Sequence, residues 1–189
     1  MKKELDSKLC ETYPYMFRER HMSMTQTCMC WGFECGDGWY NIISALCSGI
    51  ENHVNWKRKQ RAQELQFNRA LRRAIEAKDV GLMLKPKYKD QKWHIEQCQC
   101  AFDKREFKEL TPKVERVVVE QVKEKFGTLR FYYRGGDDVV FGMVYMAESM
   151  SALTCEKCGE PGKSSSDGGW VTTLCDKHRK ERNKQKNTQ

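Results

Sequence analysis

The amino-acid sequence predicts an α+β fold, in which a small hairpin-centred antiparallel sheet is packed by helices. Residues 114–134, VERVVVEQVKEKFGTLRFYYR, place two arms rich in β-branched and aromatic residues around Gly127, a pattern typical of a β-hairpin. Apolar residues recur at helical spacing on both sides of this hairpin. A compact group of cysteines and one histidine follows within residues 155–178.

The composition indicates a highly charged chain with enough apolar residues for a core. Of the 189 residues, 39% are hydrophobic and 32% are charged, and the net charge is +8. A basic balance favours phosphate-rich partners such as nucleic acid, or an acidic protein face. Since no apolar run is long enough to span a bilayer and no secretory signal is visible, we expect no membrane association.

Residues 1–50 predict two helices around the stretch CWGFECGDGWYN. Its glycines mark a turn, and Asp37 is a candidate cap for the helix that follows. Trp31 or Trp39 beside these glycines would also suit the wall of a ligand pocket. Capping and packing explain the same residues at least as well.

A long basic helix is predicted over about residues 52–80. Phe67, Leu71 and Ile75 recur every fourth position and form an apolar stripe, and Gly81 follows as a candidate C-cap. Many of the other positions are Lys or Arg. We therefore expect one apolar face and one strongly basic face.

Residues 81–113 are interrupted by Pro86 and Pro112, and we interpret them as irregular, with one strand within KYKDQKWHIEQCQCAF. After the hairpin, Asp137 or Asp138 is a candidate cap for a helix through VVFGMVYMAESMSAL. That helix leads into the cysteine cluster.

The cluster has the spacing of a zinc site. Cys155, Cys158, Cys175 and His178 form a C-x2-C pair and a C-x2-H pair, separated by sixteen residues. Gly159 relieves the tight turn after the first pair, and the second pair falls on the first turn of a helix. Four protein ligands leave no open position on a tetrahedral ion, so we expect one structural zinc per chain.

Three domains follow from these assignments. We predict an α+β domain over 1–153, a zinc module over 154–180 and a basic flexible tail over 181–189. No nucleophile, base and orienting group can be combined into a catalytic set, and the four histidines are scattered, so we expect no enzyme activity.

The remaining cysteines allow more than one interpretation. A disulfide scaffold is disfavoured, because these cysteines lie in apolar or helix-like stretches and a reducing cytosol fits them better. A second metal site assembled from Cys28, Cys30, Cys98 and Cys100 stays open beside the simpler interpretation of reduced thiols, which also covers Cys35.

Basic residues predict non-specific nucleic-acid binding, since Lys and Arg side chains that neutralise phosphates release counterions whatever the base sequence. The candidate contacts are Lys57, Arg58, Lys59, Arg61, Arg69, Arg72, Arg73, Arg130, Arg134, Arg179, Lys180 and Arg182. The alternative for the helix is a merely solvated face. For the aromatic strand LRFYYR, an ordinary half-buried strand is the alternative to base stacking.

Three stretches carry a resemblance. TCMCWGFECGDGWYNII (27–43), VKEKFGTLRFYYRGGDD (122–138) and TCEKCGEP…GGWVTTLCDKH (154–178) resemble small zinc-motif proteins of tailed bacteriophages and prophages, and the last stretch also resembles a treble-clef zinc finger. The resemblance implies an accessory protein acting in the host bacterial cytoplasm. It implies a partner that is either nucleic acid or, as the alternative, a host protein such as an anti-phage defence enzyme.

Overall fold

A computed structural model describes residues 1–167 and 169–186, and they form the α+β fold that the sequence predicts. The α-helices are α1 (Lys3–Thr12), α2 (Tyr40–Ala77), α3 (Lys92–Lys104), α4 (Asp138–Ser151) and α5 (Asp176–Lys186). The strands are β1 (Phe33–Glu34), β2 (Glu115–Lys125), β3 (Thr128–Gly136), β4 (Lys163–Asp167) and β5 (Trp170–Leu174).

The described chain divides into two compact units. The first consists of residues 1–54 together with the described residues from 115 onward, and the second consists of residues 55–114. The cysteine cluster therefore belongs to the first unit. Whether residues 154–180 fold as a module of their own stays a prediction.

The predicted hairpin is confirmed and forms most of the three-stranded sheet of the first unit. Strands β2 and β3 pair antiparallel, and Gly127 occupies the turn with φ +77°, a conformation that glycine adopts without strain. Strand β1 pairs parallel to β2, with Phe33 opposite Val122. The sheet is thus mixed, whereas the sequence predicted only its antiparallel part.

Strand β2 departs from simple alternation of inward and outward side chains. Val117, Val118 and Val119 are all buried, and the pairing with β3 shifts register on both sides of them. Such bulges re-aim side chains, so one strand can send consecutive residues into the core. Leu129 and Phe131 of β3 are buried as well.

Helix α4 begins at the cap that the sequence predicts. The Asp137 carboxylate accepts the backbone N–H of Val140 at 3.2 Å. The same carboxylate lies 2.9 Å from Nε2 of His53, on α2. The buried face of the helix includes Val140, Val144 and Ala147.

Helix α2 corrects two expectations. The second N-terminal helix and the basic helix are one continuous helix of 38 residues, because Gly49 alone does not interrupt a stretch that has no proline. The helix ends before Gly81: Lys78 takes the left-handed conformation with φ +55°, and the N–H of Asp79 bonds to the carbonyl of Ala74 at 3.0 Å. This is a Schellman ending with lysine at the usual glycine position.

The second unit has its own core, and it contains a helix where the sequence predicted a strand. Leu71 and Ala74 of α2 pack with Met83 and with Cys98 of α3. The stretch HIEQCQC forms α3 because His94 and Cys98, four positions apart, share its buried face. The predicted strand in this stretch was therefore wrong.

An extended segment is tied to α2 within the second unit. The Glu64 carboxylate accepts the backbone N–H of Thr111 at 2.6 Å and its hydroxyl at 2.7 Å. Asn68 exchanges two hydrogen bonds of 2.8 Å with the backbone of Lys108. Residues 105–113 are not part of a sheet, and these bonds satisfy some of their backbone groups.

Among the described residues, none of the helices combines the length and the apolar character needed to cross a membrane.

Candidate metal centre and basic surface

Two elements of the first unit bring the four predicted ligands together. Cys155 and Cys158 lie on a tight turn after α4, where the N–H of Gly159 donates to the Cys155 carbonyl at 2.8 Å. Gly159 has φ +83°, which confirms that the turn needs a glycine. Cys175 directly follows β5 of the β4–β5 hairpin, and His178 lies in the first turn of α5.

The ligand atoms form a compact group. All four lie within 4.8 Å of one another. Nδ1 of His178 is 3.4 Å from the Cys155 sulfur and 3.3 Å from the Cys175 sulfur, and the Cys158 and Cys175 sulfurs are 3.8 Å apart. Three thiols and one imidazole in this arrangement form a potential metal site.

The turn also prepares one sulfur to act as an anion. Burial opposes ionisation of the Cys155 thiol, but backbone N–H groups of Cys175, Cys158 and Lys157 donate to its sulfur and bring its pKa below the ordinary value. Metal ligands of this type must be thiolates. Backbone N–H groups thus favour the thiolate of Cys155. At Cys158 the backbone N–H of Glu160 is outweighed by burial and by the neighbouring sulfurs, which raise the pKa of this thiol to about 11.

The ring of His178 turns one nitrogen toward the sulfurs and the other toward an acidic residue. Its Nδ1 faces the sulfurs, while Nε2 lies 3.8 Å from a carboxylate oxygen of Glu181, three positions along α5. At this distance Glu181 is a charged neighbour of the outer nitrogen and not its hydrogen-bond acceptor. Nδ1 is the ring nitrogen that is placed to bind a metal. Glu181 was not among the predicted site residues, although an acidic residue three positions after the predicted ligand His178 is visible in the sequence.

The turn at Gly36, Asp37 and Gly38, here called the GDG turn, packs against the cysteine turn. This contact was not predicted from the sequence. The N–H of Gly38 donates to the Glu156 carbonyl at 2.8 Å, and the N–H of Gly36 donates to the Glu156 carboxylate at 2.9 Å. A Cβ atom at Gly36 would fall 2.2 Å from the Glu156 carbonyl oxygen. The glycines therefore permit a close backbone approach to the cysteine turn.

Two residues beside these glycines, Trp39 and Asp37, also have structural roles. Trp39 is fully buried and its indole N–H donates to the Thr154 carbonyl at 2.9 Å. The Asp37 carboxylate accepts the backbone N–H of Lys2 at 2.7 Å, which lowers its pKa. Since Lys2 precedes the first residue of α1, Asp37 caps α1, and the prediction that it caps the following helix was wrong.

The second half of the site rests on the β2–β3 turn. The hydroxyl of Thr173, on β5, donates to the Gly127 carbonyl at 2.6 Å. The Thr173 carbonyl accepts the N–H of Glu156 at 3.0 Å, which joins the two ligand-bearing segments. The metal-type cluster is thus supported by the GDG turn on one side and by the hairpin turn on another.

The other cysteines differ in their exposure to solvent. Within residues 1–167 and 169–186, no other group of three His, Cys, Asp or Glu side chains brings its ligand atoms this close. Cys28 and Cys100 are exposed, whereas Cys35, Cys47 and Cys98 are buried.

Five of the predicted partner-binding residues share one exposed face of α2. Within the described chain, their side chains make no hydrogen bond or ion pair. All five are exposed, and they are Arg58, Lys59, Arg69, Arg72 and Arg73. At 100° per residue they lie opposite the buried residues Glu64, Leu71 and Ala74.

The α2 residues Lys57 and Arg61 are engaged with the protein instead. The ammonium of Lys57 lies 5.8 Å from the centre of the Trp56 ring. The Arg61 guanidinium donates to the Thr111 carbonyl at 2.6 Å.

The two predicted arginines of β3 are also engaged. Arg130 donates to the Thr128 hydroxyl at 2.6 Å and lies 3.8 Å from the Glu148 carboxylate. Arg134 forms ion pairs with Glu19 and with Glu120, and the first of them lowers the pKa of Glu19. Their role in this fold is to hold the sheet and its neighbours.

The predicted tail is largely helical. Residues 181–186 form the end of α5, and residues 187–189 lie outside the described residues. Arg179 donates to the Leu174 carbonyl at 3.2 Å and Arg182 to the Thr172 hydroxyl at 2.6 Å, so both fasten α5 to β5. Lys180 is exposed.

The fold and the cluster define an α+β protein with a C-terminal Cys3His group of metal-ligand type. Comparisons of the chain with protein-family models, with curated proteins and with solved structures found no match.

Proposed function

We propose that this chain is a zinc-stabilised, non-enzymatic protein that binds nucleic acid through the exposed basic face of α2. The zinc module resembles a treble clef: a cysteine turn, a hairpin and a helix that carries the last ligands. With the resemblance to proteins of tailed phages, the proposed setting is the host bacterial cytoplasm.

Zinc fits the ligand geometry. Tetrahedral zinc, with Zn–S near 2.3 Å and Zn–N near 2.0 Å, has S···S edges of about 3.8 Å and S···N edges of about 3.5 Å. Three of the six edges agree with these values, at 3.8 Å between Cys158 and Cys175 and 3.3–3.4 Å from two sulfurs to the His178 nitrogen. All six are shorter than 4.8 Å. Thiolate-rich tetrahedral sites select zinc among common divalent ions. With all four positions filled by protein, the ion supplies structure and not a reactive water.

The unpaired cations of α2 are the observation that carries the nucleic-acid proposal. Elsewhere, Arg20, Arg134 and Arg182 are committed to acidic or hydroxyl partners of the protein. The five cations on α2 have no such partner in the described chain and face outward. Helical rise puts Arg58 and Arg73 about 22 Å apart along the axis, long enough to follow several phosphates of a duplex.

The test is a salt titration of labelled duplex and single-stranded DNA. If five cations each neutralise one phosphate, duplex affinity falls roughly 500-fold between 50 and 200 mM salt, from a slope of about 0.9 per contact. Changing Arg69, Arg72 and Arg73 to Gln leaves two contacts and a fall of roughly tenfold.

A matched control removes the same charge elsewhere in the second unit. Lys89, Lys104 and Lys113 are exposed and lie outside α2. Their triple Gln variant keeps the steep slope if the face of α2 is the binding surface. Equal weakening by both triple variants, or no binding of wild type at 50 mM salt, contradicts the proposal.

A protein partner is the second candidate, favoured by Trp56. This side chain is 59% exposed and lies on the same helix as the free arginines. Exposed Trp and Arg side chains are the usual anchors of protein interfaces. A complex with a host protein such as a defence enzyme would survive nuclease treatment and be weakened by Trp56→Ala, while binding of free DNA would be undetectable.

A further inference from the structure

Two hairpins of the first unit meet at an open cavity. Phe126 and Gly127 form the turn between β2 and β3, and Trp170 begins β5. A Cβ atom at Gly127 would fall 3.0 Å from the Val171 side chain, so the β2–β3 turn is packed against β5. A cavity of about 340 Å³ lies at this junction. It is lined by Glu124, Lys125, Phe126, Gly169, Trp170 and Val171.

Two of the lining residues are exposed aromatics. Phe126 is 70% exposed and Trp170 is 63% exposed, although burial of either ring would stabilise the fold. Both border the same cavity, whose volume is at the lower end of the range of ligand clefts. Two exposed rings beside one opening offer a surface on which another planar ring can stack.

The backbone of Phe126 is a second sign that its ring serves a ligand. The two central residues of the turn, Phe126 and Gly127, have φ +54° and φ +77°, which is the type I′ form. Asn-Gly is the preferred pair for this turn, and a bulky residue with positive φ is uncommon. Stability alone therefore favours asparagine at position 126, and the exposed ring gains no burial in return. Backbone strain of this kind is concentrated at functional sites.

Positive charge accompanies the aromatic rings along one face of β2. The ammonium of Lys125 lies 5.5 Å from the centre of the Phe126 ring. Lys123, two positions earlier and so on the same face of the strand, lies 5.4 Å from the centre of the Tyr132 ring. The acid that lines the cavity, Glu124, turns its carboxylate into the turn, where it accepts a backbone N–H at 2.6 Å.

These charges restrict the chemistry of the ligand. A cationic ligand would be repelled by the ammonium of Lys125, and a purely apolar one would cover that charge without giving it a counterion. A ligand that combines a planar ring with a negative group matches both the aromatic rings and the lysines. Nucleotides have this combination.

We propose that the cavity binds an unpaired base of single-stranded nucleic acid. The base stacks on Phe126 and Trp170, and the flanking phosphates pair with Lys125 and Lys123. A base inside a duplex is stacked between its neighbours and presents only its edges, so the site selects single strands. The site is separate from the basic face of α2, whose five cations belong to the second unit.

The test compares two labelled single strands of equal charge at 50 mM salt, a hexathymidine and an abasic strand of the same length. Because both carry the same phosphates, the ratio of their affinities isolates the contribution of the bases. Wild type binds the hexathymidine roughly tenfold more tightly or better. Phe126→Asn and Trp170→Ala each lower this ratio roughly fivefold or more and leave the affinity for the abasic strand unchanged.

Matched controls remove exposed rings elsewhere in the first unit. Trp31 is 55% exposed and Phe141 is 65% exposed, and neither lines the cavity. Trp31→Ala and Phe141→Asn therefore leave the ratio at its wild-type value. Phe126→Asn also raises the melting temperature, because asparagine suits the type I′ turn, so its weaker binding does not come from unfolding. Lys125→Gln weakens both strands alike and lowers the salt slope by roughly 0.7, the value of one phosphate contact on a single strand.

A wild-type ratio near one overturns the proposal, and so does a ratio that Phe126→Asn and Trp170→Ala leave unchanged. If the ratio is near one and Phe126→Asn releases a protein that co-purifies with wild type, the cavity belongs to a protein partner and the proposal is overturned as well. The basic face of α2 is judged by a different readout. Its loss changes the salt dependence of both strands and leaves their ratio as it was.

Discussion

The backbone of Gly38 lies against the backbone of Cys155, and a Cβ atom at Gly38 would fall 2.1 Å from the Cys155 carbonyl oxygen. The same atom would lie 2.7 Å from the N–H nitrogen of Cys158. Both neighbours are backbone atoms next to metal-type ligands, so neither can move without moving the ligands.

Gly38→Ala should therefore lower the free energy of unfolding by about 3 kcal/mol, at the upper end of the cost of inserting a methyl group into a packed site. Zinc affinity, measured by competition with a chelator, should fall as well. Gly49→Ala is the control, because its Cβ would meet only Met143 at an ordinary 3.5 Å. That variant should be neutral or more stable by about 0.5–1 kcal/mol, since alanine is the better helix former. Equal effects of the two changes would contradict the close-contact argument.

Removal of the metal should loosen the GDG turn together with the cysteine turn. Purified protein should contain one zinc per chain, and Cys158→Ser should lose it, while Cys100→Ser should keep it. After chelation, hydrogen exchange should accelerate in peptides covering Gly36–Tyr40 as well as in residues 154–178, because Gly36 and Gly38 donate to Glu156. Peptides from α3 should be unaffected. Protection of Gly36–Tyr40 that survives chelation would show that the two turns are not coupled.

The second unit should lose stability in acid through Glu64. The backbone N–H and hydroxyl of Thr111 lower the pKa of this carboxyl, with a further contribution from Gln60. A lowered pKa in the folded state means that the contribution is complete above the unfolded value of about 4.3 and disappears as the pH falls through the folded value. Glu64→Gln should therefore destabilise the protein at pH 7, and its difference from wild type should shrink below about pH 4. Urea unfolding of both proteins at several pH values measures this difference, with Glu109→Gln as the exposed control. A difference that stays constant between pH 7 and pH 3 would contradict the role of the ionised carboxylate.

Thiol labelling should separate the cysteines into three groups. Cys28 and Cys100 are exposed and should react first at pH 8. Burial raises the pKa of Cys35 to about 12, and burial followed by the neighbouring Asp6 raises that of Cys10 to about 12, so both should react slowly. Cys158 is exposed but belongs to the potential metal site, and it should join the fast group only after chelation. Disulfides found among these cysteines in protein from a reducing cytosol would contradict the prediction of reduced thiols.

Local signals predicted the parts of the fold that local chemistry decides. The hairpin around Gly127 and the cap at Asp137 depend on residues close in sequence, and both are confirmed. The four members of the potential metal site were predicted from their spacing alone. The face of α2 that carries Leu71 was visible from its period of four.

Tertiary contacts decided what the sequence did not show. The segment around Cys98, predicted as a strand, is a helix. His94 and Cys98 share its buried face, and this packing outweighs the weak local preference of the segment. Asp37 had a local helix to cap but caps α1, which only the folded chain brings near. Gly36 and Gly38 predicted only an ordinary turn. The backbone that requires glycine there, at Cys155 and Glu156, lies far along the chain.

The separation in sequence between the GDG turn and the cysteine turn also determines the order in which the two units can fold during protein synthesis. Gly36 and Glu156 are separated by 120 positions. At about 5–20 residues per second, a ribosome needs about 6 to 24 s to deliver the second residue after the first. The internal contacts of the second unit join residues within 55–114 and are therefore available earlier. The middle of the chain is expected to fold first on the ribosome. Trp39 and the glycines beside it remain exposed, and accessible to chaperones, until the cysteine turn has been synthesised.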